Sequence, residues 1–167
     1  LPNELRSRII VAARSEKSDF LMIEENFDRD ELSTHLGFNA VLGNVWWHAA
    51  SMESLRRFAD ELKDDHSSIP FFATLDTHNT PRCAQRLVLS DLREAFALTV
   101  SLPHGIPMIL AGSEFGECLP MNTGLLFDDD EMSLYPPSRL ALFSAVRMKW
   151  EAADLGILKA VRDLLHR

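Results

Sequence analysis

Short apolar runs punctuate the chain, and each ends abruptly in polar residues. The first is Phe20-Leu21-Met22-Ile23, closed by Glu24-Glu25-Asn26. The second spans 38–42 and is closed by Gly43-Asn44. The third is Ile69-Pro70-Phe71-Phe72-Ala73-Thr74-Leu75, closed by Asp76-Thr77-His78-Asn79. The fourth is Ile106-Pro107-Met108-Ile109-Leu110-Ala111, closed by Gly112-Ser113-Glu114. Continuous apolar runs of this length suit strands buried on both faces, as in a parallel sheet covered by helices. Between the runs the apolar spacing becomes helical. Pro2-Asn3 followed by Leu5, Ile9, Ala12 and Ala13 predicts a helix with one apolar face. A second helix is expected over 52–63, and a third carries Val88, Leu92, Ala95 and Phe96 on one stripe. After the fourth run, a loop containing Pro120, Gly124, Asp128-Asp129-Asp130 and Pro136-Pro137 leads to two closing helices, near 139–151 and 155–166.

Strand-like runs alternating with helices read as βαβ units on a parallel sheet. Polar clusters at the carboxyl ends of parallel strands are where both closed barrels and open doubly wound sheets place their sites. The pattern therefore predicts the α/β class and leaves barrel and open sheet as alternatives.

A chain of 167 residues has the size of one core, so 1–167 is expected to form a single unit. Its net charge of −8 comes with no basic face, which disfavours nucleic acid and anionic membrane surfaces as partners. A neutral substrate would be indifferent to that charge. The apolar stretches fall well short of the roughly 18–20 residues a bilayer span requires. The opening Leu1-Pro2-Asn3-Glu4-Leu5 has neither a starting Met nor a signal-peptide pattern, so the expectation is a piece of a longer chain, with a cytoplasmic location favoured. Cys83 and Cys118 stand apart from any C-x-x-C or Cys/His cluster, so the expectation is two buried or partly buried thiols and no metal site. Neither G-x-G-x-x-G nor a P-loop occurs. The Asp128-Asp129-Asp130 run lacks EF-hand spacing and reads as a solvated loop.

The strand-end clusters carry the candidate chemistry. Glu24 and Glu25 end one run, His78 and Asn79 another, and Glu114 and Glu117 follow a third. In a barrel these ends converge on one face. A carboxyl group flanked by apolar and aromatic residues has its protonated form favoured, as a general acid needs. Trp46, Trp47 and Phe27 offer flat surfaces for sugar rings. Each feature also has a plainer reading: strand-end glutamates are commonly solvated or salt-bridged, and adjacent tryptophans commonly belong to a core.

Taken in order, three segments resemble the α-amylase superfamily. Asp76-Thr77-His78-Asn79-Thr80-Pro81-Arg82 is similar to the N-H-D-T-P-R segment that ends barrel strand seven. Gly105-Ile106-Pro107-Met108-Ile109-Leu110-Ala111-Gly112-Ser113-Glu114-Phe115-Gly116 resembles the G-I-P-x-x-x-x-G-x-E-x-G segment of strand eight. Phe20-Leu21-Met22-Ile23-Glu24-Glu25-Asn26-Phe27 resembles strand five, and Gly37-Phe38-Asn39-Ala40-Val41-Leu42 stands where strand six belongs. Gly43-Asn44-Val45-Trp46-Trp47 and Gly116-Glu117-Cys118-Leu119-Pro120-Met121-Asn122-Thr123-Gly124 look most like maltosyltransferases, which move maltosyl units between α-1,4-glucan chains.

The resemblance implies a parallel (β/α) barrel of TIM type, represented here by about four C-terminal β/α units. It implies a retaining α-glucan enzyme, with α-glucan or maltooligosaccharide as substrate and no cofactor. Glu25 would be the acid/base, with Glu24 as the alternative because the doublet leaves the register open. His78, Trp46, Trp47, Arg82 and Glu114 would bind substrate. Asn79 falls where the family carries its transition-state-stabilising Asp. An amide cannot offer an oxocarbenium-like transition state the anionic field of a carboxylate, so a catalytically silent glucan-binding relative is the alternative reading. Asp76 stands three residues earlier, and nothing in the sequence shows that it can substitute. The family's nucleophilic Asp belongs to strand four, ahead of this chain's first helix, so the isolated chain is expected to be inactive. A half-barrel leaves two strand edges and an apolar inner face uncovered, so it is expected to meet the remaining N-terminal half of the barrel or to self-associate.

Overall fold

The computed structural model describes residues 1–119, 123–125, 127–140, 145 and 147–166. Helix α1 (Asn3–Glu16) leads to strand β1 (Ile23–Glu24), and α2 (Glu31–Leu36) leads to β2 (Ala40–Val41). Two helices, α3 (Val45–His48) and α4 (Met52–Glu61), precede β3 (Phe71–Ala73), and α5 (Cys83–Arg86) and α6 (Leu89–Ser101) precede β4 (Gly105–Pro107). A single 3₁₀ turn (Ser113–Phe115) follows, then α7 (Asp129–Leu134), 3₁₀ turns at Pro137–Arg139 and Trp150–Ala152, and α8 (Leu155–Leu165).

All four strands are parallel and lie in chain order, β1-β2-β3-β4. Ile23 is level with Ala40, Val41 with Phe71, and Phe72 with Ile106. Helices α2, α4 and α8 begin where polar side chains satisfy free backbone N–H groups. Asp30 accepts from Ser33 N at 3.1 Å, Ser51 from Ser54 N at 3.2 Å, and Asp154 from Gly156 N and Ile157 N at 2.8 and 2.9 Å. In α4 the helical repeat places Met52, Leu55, Phe58 and Ala59 on one buried side. They pack with Val41, Phe71, Ala73 and Leu75 of the sheet, with Leu92, Ala95 and Phe96 of α6, and with Ile157 and Val161 of α8. The core thus lies between the sheet and one layer of helices. Side chains alternate along a strand, so Phe72 and Ile106 point away from that layer. There Ile106 is 38% exposed, and at the far edge Ile23 is 53% exposed.

Several elements differ from the pattern-based expectation, each for a physical reason. The run 20–23 is not buried on both faces: Phe20, Leu21 and Ile23 are exposed because β1 is an edge strand with β2 as its neighbour. The fourth run forms the other edge, and its regular part ends at Pro107. In α1 the buried residue is Ile10, while Leu5 and Ile9 are exposed. Val88 is the exposed residue before α6, and the buried stripe is Leu92, Ala95, Phe96 and Thr99.

Asp128-Asp129-Asp130 starts a helix: the Asp128 carboxylate accepts from Glu131 N at 2.8 Å, and Glu131 accepts in return from Asp128 N at 3.0 Å. The expected helix over 139–151 is absent among the described residues, which hold two 3₁₀ turns instead. Positions 141–144 and 146 lie outside the description. At position 149, Lys149 N donates to Glu117 at 2.8 Å, tying that backbone to the loop after β4. The order of four parallel strands matches the predicted units, and barrel closure is not contained in this sheet.

Leu55 is fully buried in the core. Leu55→Ala is expected to lower unfolding free energy by about 3 kcal/mol, the typical cost of a core cavity, measured by urea denaturation. A loss below about 1 kcal/mol would show that α4 does not carry the core.

Candidate active site

The carboxyl ends of the four strands are laced together by side chains. The β1–β2 pairing continues past both strands, with Leu42 N donating to Glu24 O and Gly43 N to Asn26 O, both at 2.9 Å. Phe27, just after β1, meets Trp46 and Trp47 of α3 edge-on, at 5.7 and 5.3 Å between ring centres. Arg86 of α5 donates to Trp46 O at 3.3 Å and to Leu75 O at 3.1 Å, bridging the β2 and β3 ends.

At the centre lies Asp76, 1% exposed. One carboxylate oxygen accepts from Cys83 N at 2.5 Å, and the other accepts from the Ser113 hydroxyl and, at 3.3 Å, from the Cys83 thiol. Arg82 and Arg86 each bring a guanidinium nitrogen within 3.8 Å of it. Arg82 is itself 1% exposed and donates to Ala111 O at 2.9 Å, Leu119 O at 3.2 Å and Ser113 Oγ at 3.4 Å. Burial pushes the Cys83 thiol well above its ordinary range, and the neighbouring Asp76 charge adds to the effect. Desolvation raises the Cys118 thiol as well, although Cys118 is exposed and not buried as expected.

The turn after β4 depends on backbone geometry. Gly112 has φ +99°, and a Cβ there would lie 2.9 Å from Glu117 Cβ, so the position is closed to other residues on both counts. Glu117 is buried and accepts from Leu119 N at 2.8 Å as well as from Lys149 N.

The structure separates the candidate residues into three groups. Glu24 faces the helix layer, where Arg6 of α1 and Ser33 of α2 both donate to it, the latter at 2.6 Å. Asn26 shares that side, donating to Ser33 Oγ at 3.2 Å. Glu25, between them, is exposed. His78 and Asn79 form the second group. His78 is exposed and its carbonyl accepts from Thr123 N at 2.7 Å, while the Asn79 side-chain oxygen accepts from the Thr123 hydroxyl.

The third group departs from the expected roles. Trp46 is buried at 2% exposure and packs under Trp47, so Trp47, 51% exposed, is the member of the pair that meets solvent. Arg82 is committed to carbonyls and hydroxyls inside the loops and has no face toward a substrate. Glu114 turns back to accept from Gly112 N at 2.7 Å and lines a groove with Leu158 and Leu165 of α8, on the helix side. Asp76 is enclosed beneath α5 and is not available to replace a missing carboxylate at Asn79. Among the described residues no group of His, Cys, Asp and Glu is placed to hold a metal ion. No helix among them is long and apolar enough to cross a membrane.

The binding partners of Asp76 were not legible in the sequence. Cys83 and Arg86 lie outside the resembling segments, Ser113 falls at a variable position of one, and all three reach Asp76 only because the loops after β3 and β4 fold against one another.

Searches of family descriptions and of curated proteins return no match. Solved structures share the fold, among them these two. One is an α-amylase from Geobacillus thermoleovorans, complexed with acarbose: TM-score 0.64, 18% identity, covering 98% of this chain and 37% of that one. The other is an Anoxybacillus α-amylase: TM-score 0.62, 18% identity, covering 99% of this chain and 37% of that one. This chain has an α-amylase-like fold and spans well under half the length of the solved proteins it matches.

Two outcomes follow from the geometry. Asp76→Ala leaves buried Arg82 and partly buried Arg86 without their anion, and is expected to cost about 3–5 kcal/mol in urea unfolding. At pH 8 a thiol-specific chromogenic reagent should titrate Cys118 rapidly in the native chain and Cys83 only after unfolding. Rapid reaction of both would contradict the enclosure of Cys83.

Proposed function

We propose that this chain forms strands five to eight of a (β/α) barrel that acts on α-1,4-glucans by a retaining mechanism, most simply by maltosyl transfer. The observation that carries the reading is the match to α-amylase structures over 98% of the chain, at TM-score 0.64. The strand-end residues that resemble that family's motifs lie at the carboxyl ends of consecutive parallel strands. Acarbose in the Geobacillus enzyme suggests an oligosaccharide as the ligand class.

Within this reading Glu25 is the acid/base. Arg6 and Ser33 hold Glu24 on the helix side, and strand alternation directs Glu25 to the opposite face. In retaining glycosidases such a carboxyl protonates the leaving oxygen and then activates water or an acceptor sugar. Transfer prevails when the acceptor sugar outcompetes water at the glycosyl-enzyme stage. The nucleophile comes from outside this chain. His78 hydrogen-bonds sugar hydroxyls and Trp47 offers a stacking face. Asp76 and Arg82 act as positioning residues that hold the loops after β3 and β4 in register.

A second reading, a catalytically silent glucan binder, is favoured by Asn79. Its amide oxygen is already used as an acceptor by Thr123, and it brings no charge to a cationic transition state. An Asp in its place could accept the same hydroxyl, so Asn79→Asp should fold normally.

The test is incubation of the protein that carries this chain with maltooligosaccharides, following product lengths by chromatography. Products longer and shorter by two glucose units are the expected result. Glu25→Gln should then lower turnover by about 10²–10⁴-fold while Glu24→Gln leaves it within about tenfold. Products that are only shorter would indicate hydrolysis in place of transfer. No change in length, with acarbose still bound and activity appearing in Asn79→Asp, would establish the silent-binder reading.

A further inference from the structure

A pocket of about 320 Å³ opens between three segments that follow β4. None of its lining residues belongs to the strand-end group of Glu25, Trp47, His78 and Asn79. Its walls are residues 115–119, Tyr135 at the end of α7, and Lys149 and Ala152 at the last 3₁₀ turn. Buried Glu117 ties two of these walls together: its carboxylate accepts from Leu119 N on one side and from Lys149 N on the other, both at 2.8 Å. The volume lies at the small end of the roughly 300–1,000 Å³ range of ligand sites.

The hydrogen-bonding groups left over define what could fill it. Arg82 N donates to the Gln85 side-chain oxygen at 3.2 Å, so the amide nitrogen of Gln85 is the atom that faces Tyr135. The Tyr135 hydroxyl accepts from that nitrogen, and its own proton is left for another acceptor. Among the described residues the Lys149 ammonium has no hydrogen bond or ion pair either. Phe115, Leu119 and Ala152 set an apolar surface beside these two donors. Trp150, next along the chain from Lys149, packs on Phe115 at 4.3 Å between ring centres and is itself 52% exposed.

Charge narrows the ligand further. In the same wall the Cys118 thiol is raised by burial first and by the Glu117 charge next, so a negative charge is disfavoured there. A cation would meet Lys149 and find both Glu117 oxygens already engaged by backbone N–H groups. The space therefore suits a neutral molecule with an apolar face and acceptor oxygens around its edge. A sugar ring has that construction, with C–H groups on its faces and hydroxyls at its rim. We propose that this pocket is a second binding site, separate from the strand ends, that takes a neutral sugar. Tyr135 and Lys149 donate to its oxygens, and Phe115 and Leu119 meet its apolar face. The ligand class follows from the pocket alone, while the choice of an α-glucan as occupant rests on the function proposed above.

Cys118 lines the pocket and reports its occupancy. In the protein that carries this chain, reaction with a thiol-specific chromogenic reagent is followed at pH 8, and Cys118→Ser identifies the Cys118 phase. Saturating maltose or trehalose should slow that phase by at least about tenfold, and inorganic phosphate should leave it unchanged. Tyr135→Phe should raise the half-protecting sugar concentration by about two- to tenfold, the value of one neutral hydrogen bond. Ala152→Trp, at an exposed position, should fill the pocket and abolish the dependence on sugar. Trp47→Ala, at the strand ends, should leave protection unchanged, and circular dichroism checks that each variant keeps its helices. Protection by trehalose and not by maltose, with maltooligosaccharide lengths unchanged, would remove the glucan reading and uphold the pocket. No protection by either sugar, protection by phosphate, or protection lost in Trp47→Ala would overturn the pocket, whatever the chain-length assay shows.

Discussion

Asp76, buried between Arg82 and Arg86, accepts hydrogen bonds from the Cys83 backbone and the Ser113 hydroxyl. The carboxyl ends of β2, β3 and β4 are joined through these contacts. Arg82 reaches on to Ala111 and Leu119 beyond β4, and Arg86 reaches back to Trp46 beyond β2. A carboxylate removed from water is tolerated only where such partners replace its hydration, and two guanidinium groups need a shared anion for the same reason. The arrangement ties together the segments after β2, β3 and β4. His78 and Asn79 lie on the outer surface of the segment that it fixes.

A contrast runs through the rest of the molecule. The layer between sheet and helices is closely packed, with Val41, Leu55, Phe71 and Leu92 at or near zero exposure. The opposite sheet face and both edges are not. An edge strand presents unpaired backbone groups and, here, isoleucines, which natural proteins cover by pairing, charge or closure. The chain therefore behaves as a structural unit with one finished face and one face built to be covered. Its candidate site belongs to the boundary between the two.

The α/β class, four strands in order and most helices were legible from apolar runs and helical spacing, because burial in this core follows those periodicities directly. Exposure of Phe20, Leu21 and Ile23 was not legible, since a continuous apolar run looks the same in a central strand and at an edge. The helix start at Asp128 was overlooked because an aspartate run reads as solvated loop until Glu131 is seen to return its bond. At the site, the motif residues lie at strand ends, and the direction of each side chain was not legible from them. Trp46 against Trp47, and Glu24 against Glu25, differ by one position along the chain and by a whole environment in space. Arg82 looked like a substrate ligand and turned out to be an internal strut.

By itself, the sequence determined the alternation of strand and helix, the polar residues that close each strand and the shortness of its apolar runs relative to a membrane-spanning helix. These depend on the local order of apolar and polar residues. Only the tertiary structure decided which carboxylates are buried, which tryptophan is open and which strands lie at edges. Those outcomes depend on contacts between residues far apart in sequence, such as Asp76 with Ser113 or Glu24 with Arg6, and no local pattern encodes them.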